Sequence, residues 1–94
     1  MSLETLTFKY ISMAEKVFHE LTRSQPPISL TEETVSAVLD YAIDYLEDAK
    51  YYKAQGKLET SLTSVAYCEG LLDALRLIGA VNFEWPSNQK EKLS

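Results

Sequence analysis

Four acidic residues have the spacing most suited to chemistry: Asp44 and Asp48 lie four apart, as do Glu69 and Asp73. Placed on two helices that face each other across a turn at Gly56, the pairs could converge, and bundle-core di-metal sites use carboxylates on facing helices. Those sites also use Glu-x-x-His pairs. The one histidine, His19, stands far upstream with no ligand-like spacing to any of the four. No metal and no cofactor is therefore expected. Nucleophilic catalysis has less to draw on, because Cys68 and His19 are the only thiol and imidazole and their patterns assign them to core and surface. Ser61 and Ser64 have no evident base. None of Gly56, Gly70 and Gly79 lies in a glycine-rich phosphate loop. No Arg precedes His19, which disfavours the Arg-then-His arrangement of RNA-cutting bundles. No enzymatic activity is expected. Tyr45, Asp48, Glu69 and Asp73 then read as a structural or ligand-binding polar cluster, with Asp73 accepting a hydrogen bond from Tyr41 or Tyr45.

Three helices must position these groups. Residues 3–23 carry Leu3, Leu6, Tyr10, Met13, Ala14, Val17, Phe18 and Leu21 at three- and four-residue spacings, which predicts an amphipathic helix. Ser24-Gln25-Pro26-Pro27 ends it and makes a short stiff connector, since proline lacks an N–H and restricts the residue before it. A second helix is expected over 31–55, capped by Ser29 or Thr31. Its core stripe is Val35, Leu39, Ala42, Leu46 and Ala49, with Tyr41, Tyr45, Asp48 and Tyr52 beside it. Gly56 supplies the left-handed stop. Residues 57–80 form the third helix on Leu58, Leu62, Val65, Ala66, Leu72, Leu75 and Ile78. Gly70 is expected where the second and third helices touch, because a mid-helix glycine costs about 1 kcal/mol against alanine and needs a reason. So short a turn makes these two helices antiparallel, and equal rise on both sides sets Asp48 opposite residue 64, Asp44 opposite 68 and Tyr41 opposite 71. Phe83 and Trp85 are expected to fold over an open end of the bundle, ahead of a frayed polar tail at 87–94.

Together these elements predict an all-α fold, a three-helix antiparallel up-and-down bundle, as a single domain over residues 1–86. At 94 residues, with 46% hydrophobic content and three Gly and three Pro, the chain is long and ordered enough to fold without staples. The lone Cys68 makes no internal disulfide and fits a reducing cytoplasm. No apolar run reaches the roughly 18–20 residues of a membrane-spanning helix. The net charge of −5 is concentrated in residues 31–56, where six acids meet two lysines. This disfavours nucleic acid, whose recognition relies on clustered Lys and Arg.

At Tyr45, Asp48-Ala49, Tyr52, Gly56, Leu62, Ala66-Tyr67, Gly70-Leu71-Leu72-Asp73-Ala74 and Gly79 the chain resembles an archaeal family of small helical proteins, domain of unknown function 357. The resemblance is sharp over 45–79 and loose over 8–44. Lys57 stands where the family pattern has an acid, and Cys68 where it has Ala. The family implies a three-helix bundle in an intracellular setting, and it carries no catalytic residue to transfer.

The expected function is a non-enzymatic protein-interaction module, acting on an unknown protein partner or by self-association. Its candidate surface is Tyr51 with Asp44, Glu47 and Asp48, acidic and aromatic and so suited to a basic partner. The alternative is a small-ligand or nucleotide-binding bundle using Tyr45, Asp48 and Asp73.

Overall fold

The structure, a computed structural model, describes residues 2–86. The tail expected at 87–94 lies outside the described residues. The described residues form three α-helices: α1 (Leu3–Glu20), α2 (Glu32–Ala54) and α3 (Leu58–Leu77). The described residues contain no strand, and the fold is all-α as the periodicity predicts.

Each boundary has a local cause. Ser2 caps α1, its hydroxyl accepting the Thr5 N–H at 3.0 Å. The helix stops at Glu20, three residues before the expected end, where Leu21 turns extended with nothing packed over the last turn to hold it. Of the two competing caps for α2, Thr31 is the one used: its hydroxyl accepts the Thr34 N–H at 3.0 Å. Glu32 and Glu33 then lie in the first turn, where the helix dipole favours negative charge. Gly56, at φ +78°, ends α2 with paired bonds from Lys57 N–H to the Tyr52 carbonyl (2.9 Å) and from Gly56 N–H to the Lys53 carbonyl (3.0 Å). Gly79, at φ +82°, ends α3 in the same way, with Ala80 N–H reaching the Leu75 carbonyl at 2.8 Å.

Among the described residues, the packed helix interface is that of α2 with α3. Ala42 and Ala49 from α2 and Cys68 and Leu75 from α3 are its buried centre, and Ser61 ties the helices by donating to the Ala49 carbonyl at 2.7 Å. The equal-rise register holds, since Tyr45 stacks on Tyr67 with ring centroids 4.2 Å apart. The face that α3 presents to α2 differs from the expected stripe. It runs through Ser61, Ser64, Cys68, Leu71 and Leu75, at spacings of three and four, whereas Leu58, Leu62, Ala66 and Ile78 are exposed. Ser61, Ser64 and Cys68 let the backbones approach, Leu71 and Leu75 fill the interface beyond them, and Leu58, Leu62 and Ile78 are left exposed. Gly70 lies off that interface: a Cβ there would meet nothing within 4 Å. The helix-contact role expected for Gly70 is therefore wrong, because its position falls on the side of α3 turned away from α2.

Stepping about 100° per residue around the two helices gives the hairpin two unlike sides. Tyr41, Tyr45, Asp48 and Tyr67 line one, and Leu39, Leu46, Leu62, Val65 and Leu72 line the other. Against neither side does α1 pack, and no residue of α1 is buried. Its apolar stripe faces solvent, with Phe18 79% exposed.

Candidate functional site

The expected polar cluster divides into two places. On the tyrosine side of the hairpin, Tyr45 stacks almost parallel on Tyr67, the planes 14° apart, with Tyr41 and Asp48 nearby. Partial burial in this stack raises the Tyr45 hydroxyl above the ordinary phenol range, and Tyr67, Asp48 and Tyr41 add to the rise. Tyr67 was not among the expected site residues, although the equal-rise register that pairs Asp44 with residue 68 also brings Tyr45 to residue 67.

Asp73 sits elsewhere. Its carboxylate accepts the indole N–H of Trp85 at 2.9 Å and the guanidinium of Arg76 at 3.1 Å. The expected bond from Tyr41 or Tyr45 is not made, because Asp73 lies on the side of α3 turned away from Tyr67. Phe83 meets Trp85 edge to face at 4.9 Å, and the Arg76 guanidinium lies 5.6 Å from the Phe83 ring centre. These four side chains clip the segment after Gly79 back along the end of α3. No spacing rule in the sequence points to this clip, because the segment that closes it is irregular.

The clip has a pH signature. The Trp85 N–H first, and Arg76 second, hold the Asp73 carboxyl below its ordinary range. A depressed carboxylate contributes above the unfolded-state value, roughly pH 4, and loses that contribution as pH falls through the folded value. Trp85 is the only tryptophan, so its emission reports the clip directly. Asp73→Ala should shift Trp85 emission to the red at neutral pH, and the unsubstituted chain should show the same shift only below about pH 4. Unchanged emission in Asp73→Ala would mean the indole is held by other contacts.

Glu69 joins neither place, and its nearest effect is on Cys68, whose thiol is pushed up by burial and then by that carboxylate. A buried thiol so raised is a poor nucleophile. His19, on the unpacked α1, is not brought to it. Among the described residues no three of His, Cys, Asp and Glu come together in a metal-holding group. The surface dents are lined by neighbouring residues of one segment, such as Leu3, Thr7 and Ile11 on α1.

The candidate interaction surface lies on the outer face of α2. Tyr51 is 59% exposed, edge-on to Tyr52 at 5.2 Å, and Asp44, Glu47 and Asp48 are exposed beside it. Lys50 bridges to Glu47 at 3.2 Å, an exposed pair of small energetic weight.

In a comparison against protein families, the model described as "Protein of unknown function (DUF357)" matches residues 9–81. The chain belongs to this family. The DUF357 match covers about two thirds of α1, the whole hairpin and the Gly79 stop. No curated protein and no solved structure matches the chain. Among the described residues, no helix of this DUF357 member is long and apolar enough to cross a membrane.

Proposed function

We propose that the protein is a non-enzymatic interaction module. One observation carries this reading: α1 is amphipathic, yet its apolar stripe packs on no other helix among the described residues. Exposed apolar faces of this extent mark surfaces that meet another molecule. The outer face of α2 adds Tyr51 among three carboxylates, where charge would speed encounter with a basic partner and the ring would supply affinity. This reading sets the protein in an archaeal cytoplasm, where the single Cys68 would stay reduced. The ligand-binding alternative retains Tyr45 and Asp48 as neighbours but loses Asp73 to the Trp85 clip.

Amide hydrogen exchange on the full chain tests the proposal. Under conditions where the chain sediments as a monomer, α2 and α3 should be protected and α1 should exchange close to the free-peptide rate. Protection of α1 as strong as that of α3 in the monomer would show that it buries its stripe on its own hairpin, and the reading would fail.

A further inference from the structure

We infer that the occupant of the hairpin's apolar side is α1 of a second copy of this chain, exchanged reciprocally in a dimer; the inference rests on the interaction-module reading above. Three observations carry it. The first is a surplus of surface. A compact chain of residues 2–86 would expose about 5,100 Å². The whole chain exposes 8320 Å². Even with about 1,500 Å² set aside for the nine residues outside this range, about 1,700 Å² is surplus. A standard complex buries about 800 Å² on each partner. The surplus is therefore large enough for an extensive dimer interface.

The second is the match of shapes and chemistry. On the hairpin, Leu39 and Leu46 of α2 and Leu62, Val65 and Leu72 of α3 form one mainly apolar side, interrupted by Glu69 and by Arg76 of the clip, with Leu62 69% exposed. On α1, Leu6, Tyr10, Met13 and Val17 form one stripe, and all four are exposed. The 18 residues of α1 span about 27 Å, close to the roughly 30 Å of α3, at 1.5 Å per residue. A helix laid along two others is what the exposed side lacks.

The third is the connector. Residues 21–31 leave α1 through an extended Leu21 and enter α2 through an extended Thr31, with Pro26-Pro27 between them. Across this stretch α1 makes no packing contact with its own hairpin, and the extended connector gives it the reach to meet another. Reciprocal exchange fills both grooves and closes the assembly under two-fold symmetry, with no face left over to propagate.

The test uses the full chain. Light scattering should give twice 10.6 kDa. In a mixture of isotope-labelled and unlabelled chains, filtered methyl contacts should join Val17 or Met13 of one copy to Leu46 or Leu62 of the other. A dimer lacking those interchain contacts would overturn the inference and leave the module reading in place. So would a monomer whose α1 makes no long-range contact. A monomer with α1 contacts inside one chain would overturn both.

Discussion

Leu75→Ala should lower the stability of the fold by about 2–5 kcal/mol, the largest effect of any single truncation in the hairpin. Leu75 is 3% exposed and is the one large side chain among the four buried residues, the others being Ala42, Ala49 and Cys68. An interface built on so few buried atoms has little else to fill the space that a missing isobutyl group leaves. The same truncation at Leu62, which is exposed in the single chain, should cost far less in a monomer. Denaturant melts of the two variants, at a protomer concentration low enough to keep the chain monomeric, measure the contrast. Equal losses would mean that Leu62 is as much core as Leu75.

Ala49→Leu should cost about 1–3 kcal/mol by overpacking. Ala49 is 6% exposed, and its own carbonyl accepts the Ser61 hydroxyl at 2.7 Å across the helix pair. A larger side chain there pushes α3 away and stretches that bond, so packing and hydrogen bonding fail together. Gly70→Leu is the matched control: with nothing within 4 Å of the added Cβ, it should be tolerated, and Gly70→Ala should gain about 0.5–1 kcal/mol of helix propensity. Thermal melts decide it. If Gly70→Leu destabilises and Ala49→Leu does not, α3 is rotated relative to the face described here.

The elements were legible in the sequence because their causes are local. Thr31, Gly56 and Gly79 act on the backbone within a few residues, and the stripes on α1 and α2 repeat with the helical period. The register of the hairpin was legible for the same reason, since a short turn and equal rise leave little choice. The face of α3 was legible only in part: Leu75 is buried and Val65 and Leu72 are half-buried as expected. Its bulky residues Leu58, Leu62 and Ile78 outweigh Ser61, Ser64 and Cys68 in any hydropathy pattern, yet close backbone approach favours the small ones. Gly70 misled in the same way, because a helical glycine suggests a contact whether or not a neighbour is there. The Asp73–Trp85 bond depends on how an irregular segment returns after Gly79, which no periodicity encodes. Tyr51, Asp44, Glu47 and Asp48 lie where the period of α2 puts them, on the face opposite Ala42 and Ala49.

That α1 docks outside its own chain is tested most directly by mixing two defective variants. Val17→Asp places a charge in the α1 stripe, and Leu62→Asp places one in the hairpin side. Each variant alone should scatter as a monomer of about 10.6 kDa. In an equimolar mixture, the intact α1 of the Leu62→Asp chain can dock on the intact hairpin of the Val17→Asp chain, and the dimer mass should return. A mixture that stays at the monomer mass would contradict exchange between copies.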